Sequence, residues 1–582
     1  MLLGPKVTWY LSTYQFGYLT FARDLLHGQV FHRWPPAEAL AAFLPAKTDV
    51  LTQTYVYDRG VLWCRYPPGF PLLLAGWMAV FGSEAVHYLN LTLFLVLLAV
   101  IVALAWRLLD HRWGALIAVT LIVLCPSYVD LWALTPLPDV TAHLAALLGL
   151  LLLLPSRGGP ARPVRAALAG AALGFAITAR YDAGLYLVPA MLVIAFEWPR
   201  APRRTVTAVA VGLLLGLGPL LLYNWKVSGN PLWPTQGMEI EDVLGSLPAA
   251  RPGSVSGWHG GTTTQVQGGG LKLRNLPGVL PGYLRLISQV YGPVLLGLAV
   301  WGTVLATIVR PVLLRTVVPY VILALAFFSC WSRPNSRFLA GLHFLIPVLI
   351  VEGLVGTVEL SRRLLTHHRP AARSLPILVG AALFIATTLF PGAAPWSPLP
   401  NVTRLVGWGG AALLLVTGLW PGRRLGAILI PLLAGALVAL TGNRVRTDSH
   451  GAGFQGPAVQ RSRATVDRQI APGGVVITTE DVGRPAENIE YYSAGVGALY
   501  LTDLERWRIP VPVAAEQLLT HGVSTYLLLP PAAATRIVEQ LRSPPFRVEP
   551  IADVAPSEAI DYFVAASFHR GVRLTLLRIT RD

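Results

Sequence analysis

Long apolar runs separated by short polar connections dominate the chain. A helix needs about 20 apolar residues to cross the hydrocarbon of a bilayer, and somewhat fewer when its ends are anchored at the interface. Twelve runs near that length can be marked, at residues 86–109, 114–131, 139–155, 165–180, 183–197, 205–223, 286–309, 316–331, 338–358, 374–390, 405–420 and 425–442. The pattern predicts an all-α polytopic membrane bundle of about twelve spans.

Basic residues fall in alternate connections between these runs. Short loops rich in Lys and Arg mark the cytoplasmic side of a membrane protein. We therefore expect six connections in the cytoplasm, and they hold Arg107 and Arg112; Arg157, Arg162 and Arg165; Arg200, Arg203 and Arg204; Arg310 and Arg315; Arg362, Arg363, Arg369 and Arg373; and Arg423 and Arg424. An even number of spans then puts both termini outside, so we also expect a thirteenth helix ahead of Met1 in the full gene product.

The outward-facing segments divide the chain into three parts. Residues 1–85 form an outer region, in which the amphipathic stretch Tyr18–Leu26 is expected to lie along the interface. Residues 86–442 form the transmembrane domain, whose long outer loop 224–285 has the Gly-, Thr- and Gln-rich composition of a mobile cover over substrate. Alternating strand and helix patterns predict a small soluble α/β domain over residues 443–582. We expect its strands at residues 474–479, 525–529 and 574–579, and its helices at 513–521 and 532–541.

Composition supports the membrane class and limits the partners. The chain has 54% hydrophobic and only 13% charged residues. Its net charge of +16 lies mainly in the short connections, so it orients the protein and does not indicate nucleic acid. The three cysteines lack the spacing of a disulfide framework or a zinc site. We expect no metal and no cofactor.

Ionisable side chains are rare within the runs and gather at their outer ends. Carboxylates and guanidinium groups at that depth can reach the phosphate of a lipid whose tail stays in the bilayer. Transfer of a sugar from such a lipid needs a base for the acceptor hydroxyl and cations for the leaving phosphate. Asp139, which opens a span, suits the base by position and suits a helix cap equally well. Asp58 and Asp49, in the outer region, are alternative bases.

The candidates for binding the donor phosphate are mostly cationic. A guanidinium fork binds phosphate oxygens in pairs, although an arginine at a span end also snorkels to the interface. The candidate phosphate-binding residues are Arg65, Tyr66, Arg180, Lys226, Arg333 and Arg337.

Five short motifs follow one another between residues 10 and 360. They are Tyr18-Leu19 with Ala22, Leu25-Leu26 and Gly28; Tyr66-Pro67-Pro68-Gly69-Phe70-Pro71; Pro138-Asp139; Tyr223-Asn224-Trp225 with Gly229, Asn230 and Pro231; and Ser336-Arg337-Phe338. In this order they resemble the GT-C superfamily of polytopic membrane glycosyltransferases, particularly the branch of the protein O-mannosyltransferases and the lipid A aminoarabinose transferases. The resemblance implies a polyprenyl-phosphate sugar donor, transfer with inversion, and an active site between the first outer loop and the helix ends.

The chain departs from this family at its catalytic acid. The family usually has an Asp, often Asp-Glu, about four residues before the tyrosine that matches Tyr18, whereas this chain has Tyr14-Gln15. Neither is an ordinary base near neutral pH, because a phenol titrates at about 10 and an amide does not titrate. Three explanations stay open: a displaced base such as Asp58 or Asp49, a greater role for Asp139, or a loss of transferase activity.

The sequence thus predicts an integral membrane glycosyltransferase of the bacterial inner or plasma membrane. It would move a sugar from a polyprenyl-phosphate donor to an extracytoplasmic acceptor, which is a cell-envelope glycan, lipid or protein, and the C-terminal domain would bind or orient that acceptor. Two other classes stay open: a flippase or exporter of lipid-linked saccharides, and an inactive scaffold. A transporter is expected to show inverted repeats and a polar path across the bilayer, and neither is evident in the sequence.

Overall fold

The computed structural model describes residues 13–44, 48–50, 55–58, 60–123, 136–155, 163–198, 203–233, 272–331, 336–366, 374–389, 409, 411–412, 468–479, 496–542, 545–554 and 574–581. Its helices are α1 Thr13–Leu26, α2 Pro35–Leu40, α3 Gly69–Phe81, α4 Val86–Leu109, α5 Arg112–Val123, α6 Asp139–Leu153, α7 Pro163–Ala179, α8 Leu187–Glu197, α9 Arg203–Ser228, α10 Leu276–Val309, α11 Pro311–Ser329, α12 Ala340–Thr366, α13 Ser374–Leu389, α14 Leu501–Trp507, α15 Val511–Thr520 and α16 Pro531–Gln540. Its strands are β1 Thr48–Val50, β2 Tyr55–Asp58, β3 Val61–Cys64, β4 Val475–Thr478, β5 Gly497–Tyr500, β6 Thr525–Leu529, β7 Phe546–Val554 and β8 Leu574–Arg581.

Apolar helices make up most of the described chain. Five are long and apolar enough to cross a bilayer, over Tyr88–Leu109, Arg203–Ser228, Leu273–Val309, Pro311–Ser329 and Ala340–Ser361. Four shorter apolar helices, α3, α5, α6 and α7, accompany them. The helical membrane architecture is confirmed. The count of about twelve stays a prediction, because most of the last two predicted spans lies outside the described residues.

Both ends of the predicted outer loop 224–285 are helical. Helix α9 continues to Ser228, and α10 begins at Leu276. Within α10, Gly292 has φ +70° and is followed by Pro293, so the helix bends there. Glycine adopts such a φ without steric cost, and proline removes a backbone donor. Residues 234–271 of this loop lie outside the described part.

Helices α7 and α9 pack with their backbones in close contact. Each presents two glycines four residues apart, Gly170 and Gly174 on α7, and Gly212 and Gly216 on α9. A Cβ added to any of the four would overlap backbone atoms of the facing helix. Thr178 Oγ1 also donates to the Gly216 carbonyl at 2.8 Å. Small residues at this spacing allow membrane helices to approach closely, and the contact fixes the C-terminal end of α7.

The outer region contains helices and a small sheet. Helix α1 packs against α3, with Phe16 and Phe21 fully inaccessible, and its place along the interface stays a prediction. A three-stranded antiparallel sheet in the order β1-β2-β3 follows. Its β2–β3 hairpin pairs Tyr55 with Cys64 at the base and Asp58 with Val61 at the tip.

The predicted C-terminal sheet is confirmed. It has five strands in the order β5-β4-β6-β8-β7. Strand β4 runs parallel to β5 and β6, whereas β8 is antiparallel to β6 and β7. One face of the sheet packs on helices α14, α15 and α16.

The C-terminal domain docks on the outer region through a tryptophan. Trp34 Nε1 donates to the Ala498 carbonyl of β5 at 3.1 Å. The Trp34 ring also meets Trp507 edge to face, with 6.4 Å between centroids. One continuous hydrophobic core therefore includes α1, the small sheet, α3 and the C-terminal domain.

Candidate functional site

An ion cluster lies where α6 begins and α7 ends. The Arg180 guanidinium donates from Nε and Nη2 to the two carboxylate oxygens of Asp182, at 2.8 and 2.7 Å. It also donates from Nη1 to Asp139 Oδ1. Only 12% of the Arg180 side chain and 1% of the Asp139 side chain are exposed. Three of the five guanidinium N–H groups are thus used by carboxylates.

Local sequence positions all three members of this cluster. Asn90 Nδ2 donates to the Leu137 carbonyl at 2.9 Å, which holds the turn ahead of Asp139. Arg180 leaves α7 in an extended conformation, with φ −152° and ψ 127°. A short 3-10 turn over Tyr181–Tyr186 then brings Asp182 back to the guanidinium.

The geometry bears on the two roles considered for Asp139. Pro138 is the N-cap of α6, and no side-chain capping bond forms at this end. The Asp139 carboxylate instead faces Arg180, while its place in the first turn still favours negative charge. In this arrangement the Asp139 carboxylate is buried and bonded to Arg180.

The Arg65-Tyr66 segment packs beside this cluster. Tyr66 stacks on Tyr18 with 4.6 Å between ring centroids, and Arg65 is only 3% exposed. A Cβ built on Gly69 would lie 2.6 Å from backbone atoms of Thr178, so α3 begins directly against the end of α7. Glycine is required at Gly69 for this approach.

The C-terminal end of α9 also contacts the Arg65-Tyr66 segment. Tyr223 donates from its hydroxyl to the carbonyl of Cys64, the residue before Arg65. Burial raises the pKa of the Cys64 thiol, and the negative charge of Asp24 adds to the rise. Asn224 Nδ2 donates to the Pro231 carbonyl at 3.2 Å and closes the turn after α9. Four of the five motifs thus meet at one corner of the helical domain.

The other predicted site residues lie at the hairpin tip, at the exposed end of α9, or outside the described part. Asp58 is at the hairpin tip, about 13 Å of extended strand from Arg65. Lys226 is exposed in the last turn of α9, where a cation favours the helix C-terminus. Asp49 lies in β1 and Arg337 in the short turn Ser336–Leu339, and their side chains are outside the described atoms. The same holds for the side chains of Tyr14 and Gln15 and for the whole of Arg333.

Sequence reasoning missed a polar group below the ion cluster. His143 Nδ1 lies 3.0 Å from the Tyr186 hydroxyl, and the Tyr186 ring stacks on Tyr320 at 3.9 Å. The spacing of four residues between Asp139 and His143 was the available signal, because it places both on one face of α6. Within the described residues, no group of three or more His, Cys, Asp or Glu side chains is arranged to hold a metal ion.

Sequence reasoning also missed an acid–histidine pair in the outer region. His32 Nδ1 lies 3.0 and 3.3 Å from the two carboxylate oxygens of Asp24. The two side chains are 10% and 12% exposed. The backbone N–H of His32 donates to the Leu62 carbonyl of β3 at 2.8 Å, and its ring lies 5.0 Å from that of Tyr55. The sequence did not predict the β2–β3 hairpin. That hairpin brings His32 to β3, the strand that leads to Arg65, so the pair could not be placed near the site from sequence alone.

Comparison with known proteins supports the fold. No protein family and no curated protein matches the chain in sequence. In structure it is similar to ArnT from Cupriavidus metallidurans bound to undecaprenyl phosphate, with 13% identity, a TM-score of 0.55 and coverage of 99% of this chain and 94% of that one. The apo state of the same protein gives 14% identity, a TM-score of 0.52 and coverage of 99% and 93%. The arabinosyltransferase EmbB from Mycobacterium smegmatis gives 15% identity, a TM-score of 0.32 and coverage of 75% and 41%, too weak for any argument.

ArnT is an aminoarabinose transferase and a GT-C membrane glycosyltransferase. At 13 and 14% identity the likeness shows the fold alone. The chain therefore shares the fold of ArnT over nearly its whole length, and the structural resemblance that the motifs predicted is confirmed.

Proposed function

We propose that the chain is an integral membrane glycosyltransferase that uses a polyprenyl-phosphate sugar donor. One observation carries this proposal: on an ArnT-like fold, the buried Arg65-Tyr66 segment and the Asp139–Arg180–Asp182 cluster come together at the ends of α3, α6, α7 and α9. A buried guanidinium at a helix end can bind the phosphate of a lipid whose tail lies between helices.

We assign the phosphate to Arg65, because the Arg65-Tyr66 segment lies beside the ion cluster without belonging to it. Arg180 already contacts the carboxylates Asp139 and Asp182, and their combined charge of −2 would repel a phosphate. We assign Arg180 to holding the ends of α6 and α7 in place. The stacked Tyr18 and Tyr66 rings keep Arg65 next to that corner.

In the reaction, the acceptor oxygen attacks the anomeric carbon from the side opposite the phosphate, with inversion. The bond between the anomeric carbon and the phosphate oxygen breaks, and the polyprenyl phosphate leaves with the electron pair. Arg65 stabilises the charge that develops on the leaving phosphate. A base must take the acceptor proton.

The direction of the reaction follows the charge pattern of the chain. With the basic connections in the cytoplasm, the corner around Arg65 and the C-terminal domain face outward. The acceptor is then a glycan, lipid or protein of the cell envelope, and the C-terminal domain orients it. In a bacterium this places the protein in the inner or plasma membrane.

A binding and transfer assay on the purified chain in nanodiscs tests this function. Undecaprenyl phosphate is the binding probe, and a panel of undecaprenyl-phosphate-linked pentoses and hexoses supplies donors for an envelope extract. We expect Arg65→Gln to weaken binding of the probe about tenfold or more, because a charge-assisted bond contributes about 1.5–3 kcal/mol. Arg363→Gln, at an exposed arginine that pairs with Glu359 at 3.1 Å on the same helix, is the matched control.

The outcome also separates the alternatives. A chain that binds undecaprenyl phosphate and transfers sugar supports the enzyme. Movement of a fluorescent lipid-linked sugar across liposomes without transfer would favour the flippase. Binding with neither activity would leave the inactive scaffold.

A further inference from the structure

The proposed transfer needs a proton acceptor, and the ion cluster is poorly suited to supply it. Asp139 is 1% exposed in its side chain and bonded to Arg180. Asp58 lies at the hairpin tip, on the far side of Val61 and Leu62 from Arg65. The described part of the outer region offers a third arrangement, in which a carboxylate orients an imidazole.

We infer that His32 is the general base of the proposed transfer and that Asp24 is its positioning residue. This assignment rests on the proposed function. A hydrogen on Nδ1 directed at the Asp24 carboxylate leaves the basic lone pair of the ring on Nε2. Imidazole is suited to proton transfer near neutral pH, and a carboxylate behind it fixes the tautomer and stabilises the imidazolium that forms.

The fold places this pair against strand β3, which leads directly to Arg65, the proposed phosphate ligand. The His32 backbone joins β3 at Leu62, three residues before Arg65, which is about 10 Å of extended strand. The ring points toward the base of the hairpin, because it meets Tyr55, the partner of Cys64. The charge of Asp24 is felt at the Cys64 thiol, next to Arg65.

The proton balance of the step is simple. The acceptor hydroxyl gives its proton to His32 Nε2 as its oxygen bonds to the anomeric carbon. The sugar leaves the phosphate, whose electron pair stays on the polyprenyl phosphate near Arg65. The imidazolium, stabilised by Asp24, later returns its proton to solvent.

The groups that surround the pair bear on its titration. Asp24 faces the ring from α1, Tyr55 from β2, and the Cys64 thiol and Arg65 follow on β3. Of these, the carboxylate is the one that bonds to the imidazole. Its loss is therefore expected to change the pH profile of turnover as well as its rate.

Three variants of the full chain in nanodiscs test the assignment, with the donor panel and envelope extract described above. His32→Gln keeps an amide that can donate to Asp24 but has no titratable nitrogen. We expect it to lower kcat at least a hundredfold with little change in KM for the donor, as general-base catalysis contributes about 10²–10⁴-fold. Asp24→Asn should lower kcat less and shift the pH profile. His521→Gln, at an exposed histidine of the C-terminal domain, is the matched control.

Chemical rescue separates a base from a structural bond. Added imidazole should restore part of the turnover of His32→Ala and none of that of Arg65→Gln. The assignment is overturned if His32→Gln turns over like the unmodified chain. It is equally overturned if both His32 variants are inactive, still bind undecaprenyl phosphate and gain nothing from imidazole, since His32 would then only join α1 to β3. An unmodified chain that transfers no sugar from the panel would contradict the proposed function and this assignment together.

Discussion

At the residue scale, the least tolerant part of the molecule is the buried ion cluster. Taking charges out of water is costly, and their mutual attraction compensates only when each has a partner in good geometry. Arg180 meets this condition. Its Nε and Nη2 atoms donate to Asp182, and its Nη1 atom donates to Asp139. The cluster therefore holds the start of α6 against the end of α7. Its loss should change the packing of these helix ends, whether or not the cluster takes part in the reaction.

Removing the arginine should destabilise the fold more than neutralising Asp139. Arg180→Leu leaves two carboxylates without their cation, and breaking a buried pair in this way costs about 3–5 kcal/mol. Asp139→Asn keeps a hydrogen-bond acceptor and leaves the Asp182 contact intact, so a smaller loss is expected. The double variant should recover part of the loss of Arg180→Leu, because a lone buried carboxylate is removed. Thermal unfolding in detergent measures all three, and equal losses for both single variants would contradict the network.

At the element scale, the position of that cluster depends on how closely α7 and α9 approach. Membrane helices gain little from burying apolar surface against each other, so close backbone packing and interhelical hydrogen bonds stabilise them. The four facing glycines permit the approach, and Thr178 adds a bond across it. The end of α7 sets the place of Arg180, and the end of α9 sets that of Tyr223. A change of spacing between the helices would move both.

A methyl group at this contact should be destabilising. Gly212→Ala puts a Cβ onto backbone atoms of α7, and overpacking of this kind costs about 1–3 kcal/mol. Gly218 is the matched control on the same helix, because a Cβ there would meet nothing within 4 Å. Gly218→Ala should be neutral or slightly stabilising, since alanine has the higher helix propensity. Melting temperatures and rates of sugar transfer are measured for both variants. Equal values for Gly212→Ala and Gly218→Ala would show that close packing of α7 and α9 does not stabilise the protein.

Periodicity predicted most of the elements, whereas the site needed contacts that sequence spacing does not reveal. The run at Thr525–Leu529 was found because a buried strand is continuously apolar. The β2–β3 hairpin was missed because each strand has only four residues, although the aromatic and β-branched residues around Gly60 were a usable signal. Asp139 and Arg180 lie 41 residues apart. Both were candidates, but nothing in the sequence indicated that they neutralise each other.

At the scale of the whole molecule, the C-terminal domain is joined to the outer region by a continuous core. Trp34 and Ala498 are 464 residues apart, yet their hydrogen bond is buried. The indole joins the segment between α1 and α2, which holds His32, to the C-terminal sheet. Under the proposed function, this contact would couple acceptor binding to the geometry of the transfer site.

Loss of this contact should loosen the docked domain. Trp34→Phe removes the donor to the Ala498 carbonyl, at a cost of about 1–3 kcal/mol for a buried acceptor left without its partner. Trp34→Ala also removes the contact with Trp507, and large-to-small changes of this kind cost about 3–5 kcal/mol. We expect the backbone amides of β5 to exchange faster in Trp34→Phe than in the unmodified chain, and faster still in Trp34→Ala. Trp106→Ala, at a half-exposed indole on α4, should leave the exchange of β5 unchanged.

The orientation of the whole chain can be tested without knowing its substrate. Basic connections are held on the cytoplasmic side, which puts the exposed end of α12 inside and the C-terminal domain outside. After replacement of Cys64, Cys125 and Cys330 by serine, single cysteines can be introduced as Arg363→Cys and His521→Cys, both at exposed positions. A membrane-impermeant maleimide added to intact spheroplasts should label the position at 521 at once and the position at 363 only after lysis. The reverse pattern would turn the corner around Arg65 toward the cytoplasm. The polyprenyl donor would then have to be engaged on the inner leaflet, and an envelope acceptor would be excluded.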